Sequence, residues 1–143
     1  MAADEAKLKH LELIQSVISR LAGNSFSMKG WSIPLVAALM ALAAKDANER
    51  YAAVALLPAL CFWGLDAYYL RQERLYRKLY NAVNLNSTFG NPPAPIPSLS
   101  MNTLPVEPLV KSCVRIIFSK SVFWLHAPIL VAVVAVTTYA STH

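Results

Sequence analysis

Residues 51–80 read YAAVALLPALCFWGLDAYYLRQERLYRKLY. Tyr51–Leu65 is almost wholly apolar, whereas the rest carries Asp66, Arg71, Glu73, Arg74, Arg77 and Lys78 among tyrosines and leucines. The pattern predicts one continuous helix that leaves a bilayer and enters the cytoplasm. At ~1.5 Å per residue, thirty residues reach ~45 Å, enough for a hydrocarbon core of ~30 Å and a stalk beyond it.

The composition agrees with this reading. Apolar residues make up 56% of the 143, and only 15% are Asp, Glu, Lys or Arg, against roughly 25% in soluble proteins. Mean hydropathy is +0.41. The net charge of +5 comes from basic residues beside apolar runs. That arrangement points to membrane orientation and anionic lipid, and no duplex nucleic acid is expected as a partner. The length is that of one domain. The N-terminus, MAADEAKLKHLELIQ, is polar and predicts no secretory signal. Cys61 falls in an apolar run and Cys113 in a basic segment. They predict neither a disulfide nor a metal site, and no cofactor is implied.

Working outward, Phe26–Ala44 forms a first span if Lys29 snorkels to the head groups. Lys45–Arg50 is a polar turn, Tyr51–Leu70 the second span and Ser121–Ser141 the third. Residues 4–22 repeat Leu8, Leu11, Ile14, Ile18 and Leu21 at helical spacing, an amphipathic helix that Gly23, Asn24 and Ser25 would end. Residues 86–108 carry six prolines and read as an extended, polyproline-like linker. Residues 109–120, LVKSCVRIIFSK, read as a basic interfacial helix. The expected fold is an all-α membrane protein. It has three transmembrane helices, an N-terminal amphipathic helix and a long cytoplasmic extension of the second span. Its four segments are 1–25, 26–85, 86–108 and 109–143.

Basic residues cluster before the first span and between the second and third, and none follows the third. The positive-inside rule then places the N-terminus and stalk in the cytoplasm and the C-terminus outside, in the periplasm of a bacterial inner membrane. Trp31, Trp63 and Trp124 fall at the cytoplasmic interface as anchors, with Tyr51 and Tyr139 at the outer one. Almost no chain is left outside, which excludes an external receptor domain.

No phosphate loop, nucleophile elbow, zinc-binding helix or cysteine cluster is present in the sequence, and an enzyme is not expected. Three residues are candidates for intramembrane chemistry. A carboxylate at bilayer depth costs ~2.5–3.5 kcal/mol at the centre, so Asp66 must face protein or water. His126 falls at about the same depth, and an Asp66–His126 or an Asp66–Lys29 pair is expected, either as a structural contact or as a pore-lining or proton-responsive one. On the stalk, Leu65, Tyr68, Gln72, Leu75, Leu79 and Ala82 follow heptad spacing, a seam through which copies could pack. Arg71, Arg74, Arg77 and Lys78 lie off that seam, a face for anionic lipid or for a partner or nucleotide-type ligand. Pro34, Pro58 and Pro128 put one potential kink in each span.

The phrases NSFSMKGW (24–31) and LDAYYLRQERLYRKLY (65–80) carry a resemblance to small bacterial membrane proteins encoded in defence islands. It covers roughly residues 8–83. By analogy with two-span antiphage effectors, the resemblance implies an oligomer that breaches the inner membrane when a cytoplasmic nucleotide signal arrives. The third span and the proline-rich segment depart from the two-span pattern. The expected function is therefore a homo-oligomeric inner-membrane effector or channel-forming protein triggered from the cytoplasm. The alternative is a non-conducting anchor or adaptor that recruits a soluble partner.

Overall fold

The computed structural model describes residues 2–46, 49–89 and 93–142, with side-chain surroundings omitted at 2–3, 44, 46, 49–53, 94 and 139–142. Arg50, Tyr51, Tyr139 and His143 lie outside what is described at side-chain level. The order is α1 (Ala2–Asp46), α2 (Glu49–Asn84), a two-stranded ribbon of β1 (Thr88–Phe89) and β2 (Ala94–Pro95), a 3-10 helix (Leu104–Leu109), α3 (Cys113–Ile117) and α4 (Lys120–Thr142).

The chain is mostly helical, and the reason lies in runs rich in Ala and Leu with Lys, Glu and Arg; Pro34, Pro58 and Pro128 lie inside α1, α2 and α4 without ending them. α1 has 45 residues and α2 has 36, or ~68 and ~54 Å at the α-helical rise. Both outrun the ~30 Å of a bilayer core, so each needs a polar stretch as well as an apolar one. α4, with 23 residues, is ~35 Å long, the length of one crossing. Among the described residues, two helices are long and apolar enough to cross a membrane, within Asp4–Ala43 and Lys120–Thr138. In each, only 17% of the apolar window is buried in protein. A core helix of a soluble domain would be mostly buried, so this apolar surface asks for another apolar medium. α4 also hides its own hydroxyls: Thr137 donates to the Val133 carbonyl at 2.7 Å and Thr138 to that of Val134 at 3.0 Å. The second expected span, Tyr51–Leu70, lies within α2, which is not one of these two helices.

The chain divides into two compact units. One comprises residues 1–23 and 69–112, the other residues 24–68 and 113–143. In the first, Ile14 and Ile18 of α1 meet Leu79, Ala82 and Val83 of α2 and Val106 of the 3-10 helix, with Phe89, Ile96 and Met101 packed on them. In the second, Val36 of α1, Ala55 and Ala59 of α2 and Val133 of α4 form the core, with Leu39, Met40, Ile129 and Leu130 around it. Small side chains let these helices approach closely.

Four expectations are corrected. The first helix does not end at Gly23–Ser25; α1 runs through to Asp46. Gly23 costs a helix about 1 kcal/mol without forbidding it, and Ser25 finds a side-chain partner instead of capping. Residues 86–108 are not an extended spacer. Thr88 pairs with Pro95 and Phe89 with Ala94 in the ribbon, and Val106 is wholly buried. The segment is a strap, because its apolar residues between the prolines have a core to join. Residues 109–120 are not one amphipathic helix, since only Cys113–Ile117 is helical between the 3-10 helix, which ends at Leu109, and α4, which begins at Lys120. Finally, the stalk seam is taken within the chain. Leu75, Leu79 and Ala82 are buried against the chain's own residues, while Leu65 and Tyr68 are exposed.

α2 ends in a Schellman arrangement. Asn86 adopts φ 51°, its N–H bonds Val83 O, and the Ser87 N–H bonds Ala82 O at 2.9 Å. Asparagine tolerates the left-handed region better than other side chains. Leu99, at φ 59°, has no such excuse. It closes a turn in which the Ser100 N–H reaches Pro97 O at 3.1 Å, and that turn aims the Ser100 carbonyl at His10.

Candidate functional site

Within the unit of residues 24–68 and 113–143, three polar side chains converge on one carboxylate. Asp66 of α2 has no exposed surface. Ser25 of α1 donates its hydroxyl to Asp66 Oδ1 at 2.5 Å. One helical turn on, Lys29 places Nζ 2.5 Å from the same oxygen and 2.8 Å from Ser25 Oγ. His126 of α4 donates from Nε2 to Asp66 Oδ2 at 3.3 Å. The two partners expected as alternatives both reach Asp66, Lys29 on Oδ1 and His126 on Oδ2. The site is built from helical spacing: Ser25 and Lys29 are four residues apart and share a face of α1. Ser32, nearly buried, returns its hydroxyl to the Lys29 carbonyl at 3.0 Å.

The energetic logic is that of a buried ion pair. Removing a carboxylate from water costs several kcal/mol, which attraction alone repays poorly. Here both carboxylate oxygens are hydrogen-bonded, and the Lys29 side chain keeps 25% of its surface exposed, so only one charge is fully desolvated. The arrangement ties α1, α2 and α4 together through one group. Chemically it can hold or pass a proton along Lys29, Asp66 and His126, and it can come apart when the helices move.

Trp63 forms a wall of this cluster. Its ring stacks on His126 with centroids 6.2 Å apart and planes at 14°. Its indole N–H donates to the Ile117 carbonyl at 3.1 Å, and Phe118 meets it edge-on at 6.2 Å. Trp31 and Trp124, in contrast, are 68% and 74% exposed. These two point outward, while Trp63 is turned to protein.

The stalk cations divide. Arg71 is held by Glu107 of the strap at 2.6 Å, and Arg77 by Glu73 one turn earlier at 2.7 Å. Arg74, Arg77 and Lys78 line a groove of about 290 Å³ with Leu109, Val110 and Lys111. Arg71 is not part of it. Elsewhere in the unit of residues 1–23 and 69–112, His10, almost fully buried, donates from Nε2 to the Ser100 carbonyl at 2.8 Å, and Lys7 reaches Asn84 O at 2.8 Å. Among the described residues, no group of three His, Cys, Asp or Glu is placed to hold a metal ion. Cys61 and Cys113 are free thiols.

No protein-family model, curated protein or solved structure matches the chain.

Sequence reasoning missed Ser25, Glu107 and Lys111 as site residues. Ser25 had a usable signal, since a serine four residues before a lysine on a helix shares its face. Glu107 and Lys111 had none, because their partners depend on how the strap folds back on α2.

Proposed function

We propose that this chain is a non-enzymatic, homo-oligomeric effector of a bacterial inner membrane that opens a conducting path when triggered from the cytoplasmic side. On this reading there are three crossings, carried by α1, α2 and α4. The N-terminus and the unit of residues 1–23 and 69–112 lie in the cytoplasm, and the C-terminus lies outside. The observation that carries the proposal is the Ser25–Lys29–Asp66–His126 cluster, sited among helices whose outer faces are apolar. A desolvated carboxylate tying three helices makes a two-state element: satisfied in one packing, exposed to water or an ion in another. Antiphage defence is the setting that the resemblance of residues 24–31 and 65–80 implies.

The stalk seam does not supply the oligomer contact in this proposal, because Leu79 and Ala82 already serve the chain's own core and Leu75 is buried. The contact falls instead on exposed apolar residues of the other unit, such as Val54, Leu57 and Leu60 on α2. The test is the mass of the full chain in nanodiscs, paired with membrane potential in expressing cells. A ring of several copies and a potential that collapses on triggering support the proposal. A monomer, or an undisturbed potential under every trigger, removes it.

A second reading, the non-conducting adaptor, is favoured by one feature. α1 and α2 form a groove along Leu8, Leu11, Gln15, Ser19 and Tyr80, with Leu8 63% exposed, a shape suited to a partner helix. Purification only as a complex with a soluble protein would select this reading.

A further inference from the structure

The groove between α2 and the end of the strap is lined by four cations and two aliphatic side chains: Arg74, Arg77, Lys78, Lys111, Leu109 and Val110. No carboxylate lines it. Of these four cations, Arg77 is paired with Glu73, and among the described residues the other three have no ion-pair partner. Arg74 and Lys78 are one turn apart on α2, and Arg77 is three residues from Arg74, so the helix face gathers like charges at spacings where they repel. Lys111 adds a further positive charge from a separate segment. Unneutralised charge of one sign around a concavity attracts and concentrates an anion.

We propose that Arg74, Arg77, Lys78 and Lys111 form a binding site for a phosphate-bearing anion, with Leu109 and Val110 receiving the apolar part attached to it. The proposal deepens the functional reading above, since it rests on this unit facing the cytoplasm. It also changes the membership expected for the site, as Arg71 is consumed by Glu107 and Lys111 takes its place. The arginine guanidinium groups offer paired donors to phosphate oxygens, and the lysines act as point charges. The chemistry is common to an anionic phospholipid head group and a soluble phosphate ester. In sequence the cations follow the apolar part of α2 and precede α4, which is where head-group sites form.

The experiment is amine labelling of the full chain in nanodiscs, read lysine by lysine by mass spectrometry. Three samples are compared: phosphatidylcholine alone, phosphatidylcholine with phosphatidylglycerol, and phosphatidylcholine with added adenosine monophosphate. The expected result is a severalfold fall in labelling of Lys78 and Lys111 in the second or third sample, with Lys9 and Lys45 unchanged. A fall with phosphatidylglycerol alone identifies a lipid head group, and a fall with adenosine monophosphate identifies a soluble ligand. Arg74→Gln should weaken the protection about fivefold, the loss expected per cation near an anionic surface, at an unchanged melting temperature. Equal labelling of Lys78 and Lys111 in all three samples overturns the proposal, as does a uniform fall at every lysine. Because this readout needs neither a pore nor an oligomer, the site can fail while the effector reading stands, and the reverse.

Discussion

Lys29 Nζ lies 2.5 Å from Asp66 Oδ1, and the carboxylate it meets is wholly desolvated. The two residues belong to different helices, and each is the costlier for the other's absence. Lys29→Met should lower the stability of the detergent-solubilised protein by about 3 kcal/mol, near the low end for stripping one partner from a buried pair. It stays at the low end because Ser25 and His126 still bond the carboxylate. Adding Asp66→Leu to Lys29→Met should recover part of that loss, because no charge is then left unpaired. A double-mutant cycle of thermal unfolding reads the coupling. Coupling near zero would mean that the pair contributes nothing to the fold.

The stacking of Trp63 on His126 makes the cluster visible by fluorescence. In a Trp31→Phe, Trp124→Phe background, Trp63 is the one remaining tryptophan. His126→Ala should shift its emission to the red, since the ring loses a 6.2 Å neighbour and gains water. His126→Phe keeps a stacking partner while losing the bond to Asp66, and should leave the emission near its starting position. Identical spectra for all three proteins would contradict the stacked arrangement.

Val106 tests the strap. Its side chain is fully buried among Ile14, Ile18 and Leu79, so Val106→Ala should cost about 1–2 kcal/mol in transfer and cavity terms. The same change should expose residues 86–112 to protease, whereas the parent protein should resist cutting there. Equal cleavage of both proteins would mean that the strap is not docked.

Leu99 holds a left-handed backbone at φ 59° with half of its surface exposed. Leu99→Gly should therefore stabilise the protein, by about 0.5–1 kcal/mol, because relief of the steric penalty outweighs the small loss of contact. Leu99→Val should destabilise it, as a branched Cβ is worse in that region. Melting temperatures of the two variants, measured side by side in one detergent, should move in opposite directions.

Much of the architecture could be read from local pattern. The apolar run and charged continuation of residues 51–80 appear as α2, and Phe26–Ala44 and Ser121–Ser141 fall on α1 and α4. Helical periodicity and hydrophobic length act over a few turns, so a linear chain displays them. The Asp66 cluster was legible for a related reason: a carboxylate in an apolar run must find partners, and few were available. Ser25 escaped notice because its neighbours Gly23 and Asn24 are ordinary helix-ending residues. Only the presence of Asp66 alongside gives the Ser25 hydroxyl a better use.

What the sequence by itself determined is the helical class, the apolar stretches and the need for Asp66 to be paired; each follows from the short-range cost of unsatisfied polar groups and exposed apolar ones. The tertiary structure alone decided which surfaces remained free. Docking the strap through Val106 drew Leu79 and Ala82 into the chain's own core, gave Arg71 to Glu107, and left Arg74, Lys78 and Lys111 around an open groove. These outcomes depend on contacts between residues some 30 positions apart and more, and whether a side chain is spent inside the chain or kept for a partner is settled only when those contacts form.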